Sequence, residues 1–275
     1  MPTGGIYESS SSEKVHSDKG ILVFPYIPQH RYLKEEKMGR EQESKLNEKI
    51  TKQTIRVFHL NANPKSQPDV KESILCTGIV NYTFISAQKT TPDLETLKKY
   101  HVVWINSGSS FHNQTLIGDN LAQYVEAGGS VVVGGVHPLR NDQIGNWTIK
   151  GKFATGDYLP FKHGKLIQGK RCTLKAINAK GHIVMRGVKE FDGGEYSSHI
   201  ETGLNSGAIP ICTWSDNQVL IAEKPRKMGN TVIALNIRPE SWNLNRSSWN
   251  INTDGRRLIG NSIEYAARMS KIKLK

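Results

Sequence analysis

Cysteine is scarce in this chain: Cys76, Cys172 and Cys212 are the three among 275 residues. An odd count at wide spacings does not make a disulfide framework. None belongs to a CxxC pair or a Cys/His cluster along the sequence, so a structural zinc site is not indicated and no metal is expected. Small core thiols in a reducing compartment account for all three. The Asn-X-Ser/Thr sequons at Asn81, Asn113, Asn146 and Asn245 are then expected to carry no glycan. Long apolar runs are missing as well. No stretch approaches the ~18 residues of a membrane helix, and residues 1–20 lack the apolar segment of a signal peptide. There is no GxGxxG and no P-loop, so a nucleotide site has little support and no cofactor is expected, and there is no GxSxG elbow to present a serine nucleophile.

Acidic residues are also under-represented. Against 25 Asp and Glu stand 37 Lys and Arg, a formal charge of +12. Hydrophobic residues make up 37%, below the globular average, yet the length is ample for a full core without metals or disulfides. The reading is a basic, non-membrane protein of the cytoplasm, with acidic partners favoured by its charge.

Residues 1–54 read as an extended arm and residues 55–275 as a folded α/β domain. The arm opens Gly/Ser-rich and then runs from Arg31 to Lys52 with mixed charge and few apolar anchors. It cannot bury enough apolar surface to offset its own ordering entropy. Its one apolar island, Ile21-Leu-Val-Phe-Pro-Tyr-Ile-Pro28, contains two prolines that forbid a regular helix. Leu22, Phe24, Tyr26 and Ile27 are the side chains with which it would hold a partner or its own core. Residues 34–52 suit a polar helix only if something covers Leu46 and Ile50.

From residue 55 the pattern is regular. Ile55–Leu60 is a short β run, and Pro68 opens a helix that Gly78 stops. Ile79–Ser86 is a second strand. Thr91-Pro92-Asp93 starts a helix reaching Lys99, and His101–Asn106 is a third strand. Leu116, Leu121, Tyr124 and Val125 mark one face of a helix closed by Gly128-Gly129. Ser130–Val136 is a fourth strand, apolar on both faces as the interior of a parallel sheet requires. Strand-like runs come next at 170–177, 208–214, 218–223 and 231–237, as a β layer that rejoins the sheet. Asp254 is placed to cap a last helix. The expected fold is α/β: a flavodoxin-like, doubly wound, mostly parallel sheet with helices on both faces, extra β segments in the second half and an extended N-terminal arm.

The order of these motifs resembles the class I glutamine amidotransferase-like superfamily, and within it the trehalose-utilisation (ThuA-like) branch. Carrying segments are Tyr100-His-Val-Val-Trp-Ile-Asn-Ser-Gly108 and Leu121-Ala-Gln-Tyr-Val-Glu-Ala-Gly-Gly-Ser-Val-Val-Val133. Further ones are Gly207-Ala208 with Trp214-Ser-Asp216, Gly229–Asn236, and Trp249 with Thr253-Asp-Gly255. The resemblance implies an amide-cleaving cysteine at the elbow after the fourth strand, served by a later His and acid. Gly134-Gly135-Val136-His137-Pro138 stands there, and no cysteine is near it. The ThuA-like branch places a histidine shortly after the double-glycine strand, which carries over onto His137; Pro138-Leu139-Arg140 departs from the small residues expected next.

Ligands in such sheets collect beyond the carboxyl ends of the strands. Asn61, Asn106, Ser107, His112, His137, Arg238 and Trp242 are the candidate pocket, with no residue assigned as catalytic. Ser107, Ser109 and Ser110 are better explained by turn chemistry than by a nucleophile. His59, His112, His137 and His199 show no metal-ligand spacing. Asp142, Asp157, Asp216 and Asp254 are explained by loops and caps. The leading functional reading is a non-catalytic scaffold or binding protein, anchored by its arm to an acidic protein assembly such as the tubulin of a microtubule or axoneme. The alternatives are a ThuA-like hydrolase or carbohydrate-modifying enzyme, with Trp242 and Trp249 stacking on a sugar, and an RNA-bound component using Lys152-Phe153 and Phe161-Lys162.

Overall fold

Residue 52 and residues 54–274, apart from 143, 144 and 247, are described by the computed structural model. The arm's anchors Leu22, Phe24, Tyr26 and Ile27, and all but the last residue of the polar helix expected over 34–52, lie outside them. The β-branched and aromatic runs after residue 55 form the strands that periodicity predicts: β1 (Arg56–Asn61), β2 (Asn81–Ser86), β3 (Val102–Asn106) and β4 (Ser130–Gly134). The second half adds β5 (Lys165–Ile167), β6 (Leu174–Ile177), β7 (His199–Glu201), β8 (Ile209–Trp214), β9 (Val219–Pro225) and β10 (Thr231–Leu235).

Eight of these make one sheet in the order β2-β1-β3-β4-β10-β9-β8-β6, and β5 pairs with β7 in a separate ribbon. The first five are parallel and the last three alternate in direction. Counting β10 as the fifth parallel strand gives the flavodoxin-like order, with β5–β9 inserted between the fourth strand and the fifth. The inserted β segments therefore do rejoin the sheet at β10. Three of them extend its edge instead of forming a layer of their own.

Helices cover both faces. On one lie α1 (Gln67–Leu75) and, once the chain has passed β10, the long C-terminal helix Gly255–Met269. Val70, Ile74, Leu258, Ile259 and Ile263 pack there on Val57, Val102, Trp104, Val132 and Ile233. On the other face lie α2 (Leu94–Leu97), α3 (Gln114–Glu126) and α4 (Gly151–Thr155). Leu97, Ile117, Leu121, Tyr124 and Phe153 cover Phe58, Leu60, Val103, Ile105, Val131 and Val133. Successive strand residues thus feed opposite cores, which is why β3 and β4 are buried along their whole length and read as continuous apolar runs. The C-terminal helix is α5 below.

Several expected boundaries move. Asp93 caps α2 as predicted, its carboxylate accepting from Thr96 N at 2.8 Å, but the helix is over by Leu97. Asn113 caps α3 by accepting from Leu116 N at 2.9 Å. Leu116 itself is exposed, and Ile117 takes the buried position expected of it. Asp254 does not cap α5 with its side chain. Its carboxylate accepts instead from Lys189 N at 2.8 Å and Glu190 N at 3.2 Å, tying the insertion to the start of α5. β4 ends at Gly134, two residues before the predicted limit, because Gly135 turns the chain at φ +107°. None of the helices among the described residues is long and apolar enough to cross a membrane.

Candidate functional site

The sheet order reverses between β1 and β3, so the crevice open to a ligand is flanked by the segments leaving those two strands. Asn61 and Asn106 sit opposite each other at the strand ends. Both reach the Ser66 hydroxyl, with Asn61 Nδ2 at 2.9 Å and Asn106 Nδ2 at 3.0 Å. The Asn106 carbonyl accepts from Trp104 Nε1 at 2.8 Å and from His59 Nε2 at 3.2 Å. The other ring nitrogen of His59, Nδ1, lies 2.8 Å from the Tyr82 hydroxyl. An acceptor at Nε2 and a hydroxyl at Nδ1 fit the neutral ring with its proton on Nε2. Burial of His59 pushes its pKa down to about 3, against the opposing pull of Asn106. This network is closed on itself: Asn61, Asn106, His59 and Ser66 are all buried.

Acid should therefore destabilise the fold early. The unfolded His59 takes up a proton below pH ~6.5, whereas the folded one stays neutral down to about 3. Stability is full above the unfolded value and falls as pH drops through that window, by ~1.4 kcal/mol per unit once well below 6.5. Between pH 7 and pH 5 the expected loss from His59 is about 2 kcal/mol in urea denaturation. NMR titration checks the cause: the His59 ring protons should not shift above pH 5, and a midpoint near 6.5 would refute it.

The elbow after β4 lies beside this network. A Cβ on Gly134 would stand 1.8 Å from the Trp104 ring, and one on Gly135 would stand 3.2 Å from Pro239. The pair is thus one close-packing and one turn glycine. Val136 then leads into a short 3-10 helix, His137–Leu139. The His137 ring sits edge-on to Trp147 at 5.2 Å, with Arg140 Nη1 3.5 Å from Nδ1. Burial first, then the positive charges of Arg238 and Arg140, bring His137 down to about 4, with Asp142 pulling the other way. Ser107 donates to the Trp147 carbonyl at 2.6 Å, so its hydroxyl proton is already engaged.

Glu240 joins this end of the sheet through a hydrogen bond from Asn63 Nδ2. Burial raises its carboxyl above the usual range, opposed first by Arg238. Glu240 Oε2 and Arg238 Nε are buried with no hydrogen-bond partner among the described residues. Asp69, at the start of α1, fixes the loop beyond β10 by accepting from Ser241 N at 2.7 Å and Ser241 Oγ at 3.0 Å.

The predicted pocket residues thus fall into separate contacts. Asn61 and Asn106 meet at Ser66; His137 and Ser107 share Trp147, and Arg238 acts on His137 electrostatically. His112 stands apart on the surface, its Nδ1 3.3 Å from the Thr91 hydroxyl. Trp242 is half-buried, its backbone N–H donating to the Trp249 carbonyl at 2.9 Å. Trp249, offered as a sugar platform, is a core residue at 1% exposure, and Phe153 and Phe161, offered as base-stacking rings, are fully buried. Cys172 and Cys212 are buried, as core thiols should be, but Cys76 is exposed just after α1 and is not the core residue expected. Asn63 and Glu240 both belong to the strand-end stretches that the sequence marks, at 59–63 and 236–242, but no motif foretells that they meet each other.

Comparison with protein-family models returns no match, and comparison with curated protein sequences returns none. Solved structures similar to this chain include a glutamine amidotransferase from Thermotoga maritima, at 10% identity and TM-score 0.47, covering 79% of this chain and 98% of that one. The glutaminase domain of Trypanosoma brucei CTPS with bound acivicin is similar at 12% identity and TM-score 0.45, covering 81% and 97%. A glutamine amido transferase from Methylobacillus flagellatus is similar at 10% identity and TM-score 0.45, covering 78% and 91%. These neighbours are amidotransferase-type domains; the ThuA-like resemblance rests on the sequence motifs alone.

Proposed function

We propose that this chain is a non-catalytic binding or scaffolding protein, an amidotransferase-like sheet without an amide-cleaving centre, tethered through its N-terminal arm to an acidic protein assembly. The observation that carries the reading is the elbow. Where a thiol would be presented, Gly134 and Gly135 give way to a short 3-10 helix, and its histidine is 7% exposed beneath Trp147 and Arg140. Behind it, His59 and Asn106 satisfy each other and serve packing.

Surface charge supports the choice of partner. Lys150, Lys152, Lys162, Lys165, Lys170, Arg171, Lys175, Lys180, Arg186 and Lys189 are all exposed. A dense, solvated set of cations raises the local concentration of acidic surfaces and speeds encounter with them. The acidic lattice of a microtubule matches that chemistry, and a cytoskeletal or axonemal location would follow. The arm supplies the apolar anchors Leu22, Phe24, Tyr26 and Ile27 that charge alone lacks.

Removal of residues 1–53 is expected to lower co-sedimentation with microtubules at least tenfold at physiological salt, with the circular dichroism of the remainder unchanged. Equal pelleting of the two chains would eliminate arm-based tethering. Ammonia release from glutamine by the full chain should stay at the protein-free rate; turnover abolished by changing His137 would restore an enzymatic reading.

A further inference from the structure

The insertion brings together three side chains that are far apart in sequence. Cys172 precedes β6, His199 opens β7, and Asp216 lies in the turn between β8 and β9. Their thiol, imidazole and carboxylate ligand atoms lie within 4.8 Å of one another. Cys172 and His199 are buried, and Asp216 retains 22% side-chain exposure. His199 Nε2 is 2.6 Å from Asp216 Oδ2. The other ring nitrogen, Nδ1, is buried with no hydrogen-bond partner among the described residues.

We propose that Cys172, His199 and Asp216 form a binding site for a zinc-type divalent cation. The donor set is one thiolate sulfur, one imidazole nitrogen and one carboxylate oxygen, a combination that borderline-soft metals accept and that magnesium or calcium would not select. Charge balance fits the buried position. Binding releases the Cys172 thiol proton, and the thiolate and ionised Asp216 together offset the two positive charges of the metal, leaving a neutral centre that a low-dielectric interior tolerates. A cation seated between His199 Nε2 and Asp216 Oδ2 would take the place of the proton that they share, the imidazole then carrying its own proton on Nδ1. Asp216 is itself fixed, accepting from Gln218 N at 3.1 Å through Oδ1. The Trp214 ring lies 5.3 Å from that of His199 and restricts its rotation.

A nucleophilic triad is the competing use of the same residue types. It requires an accessible thiolate. Cys172 is 2% exposed. That burial suits a ligand enclosed beside His199 and Asp216 and not a nucleophile open to substrate. The bound ion would clamp the entry to β6, strand β7 and the β8–β9 turn, pinning the β5–β7 ribbon to the main sheet. This inference is independent of the microtubule proposal, since it concerns only the insertion.

Cobalt(II) is the direct probe. The full-length C76S chain, which lacks the exposed thiol, is freed of metal with a chelator and titrated with Co2+. The expected result is one equivalent bound, with a thiolate-to-cobalt charge-transfer band in the near ultraviolet that Zn2+ abolishes by displacement. Adding C172S should remove the band, and D216N, which takes away one of the three donors, should weaken Co2+ binding by at least about 10-fold. Zn2+ should also raise the melting temperature of C76S but not of C76S/C172S. Absence of the band from folded C76S, a band that survives C172S, or rapid alkylation of Cys172 in the metal-free chain would each overturn the proposal. The C76S result stands even if C172S fails to fold.

Discussion

Asn106→Ala is expected to destabilise the fold by about 3–5 kcal/mol, enough to lower the melting temperature of a domain this size by roughly 10 °C or more. The side chain is buried and makes three hydrogen bonds at once. Truncation strands His59 Nε2 and Trp104 Nε1, whereas Ser66 keeps its hydrogen bond from Asn61. Each stranded buried group costs about 1–3 kcal/mol, and a small cavity is left besides. His59 cannot recover by protonation, since burial already resists its charge. The check is equilibrium urea denaturation, in which the midpoint should fall while the slope stays constant. A loss below about 1 kcal/mol would mean that water replaces the amide, and the crevice would then be open and not filled.

That network also shows where sequence reading reaches and where it stops. The strands were legible because β3 and β4 are buried on both faces, which leaves an uninterrupted apolar signature. Asn61 and Asn106 were legible as strand-end polar residues. Their joint use of Ser66 was not, because it depends on the register between β1 and β3 and on where the chain enters α1. The three-residue strands β5 and β7 are too short to show a period of two, so they leave no signature. Leu116 and Ile117 are adjacent apolar residues in α3, and only the angle at which the helix docks decides which one is buried. The trio Cys172, His199 and Asp216 carries no spacing motif. It exists because a bulged antiparallel pair, β6 with β8, brings the turn after Trp214 beside the chain entering β6. Asp254 does stand at the head of α5, and yet backbone groups of the insertion compete successfully for its carboxylate.

Gly134→Ala should be comparably severe, at about 3 kcal/mol or more, beyond the usual cost of one excess methyl in a core. The added Cβ would lie 1.8–2.3 Å from three atoms of the Trp104 indole. That ring is fully buried, and its Nε1 is bonded to Asn106. It cannot swing aside without breaking the polar network, so the strain must be taken up by β4 or by loss of that bond. Trp104→Leu alone should cost about 3–5 kcal/mol through the cavity it opens. Combining the two places the new methyl in space that the indole vacates. The double variant is therefore expected to be less destabilised than the sum of the singles by about 1–3 kcal/mol in a double-mutant cycle. Strict additivity would place the constraint in the backbone of the turn, at Gly135, and not in the ring contact. Coupling of the expected size would mean that the glycine before the elbow is required by an indole packed beneath it, so that a core contact, independent of any reaction, is sufficient to hold the double-glycine turn in its present shape.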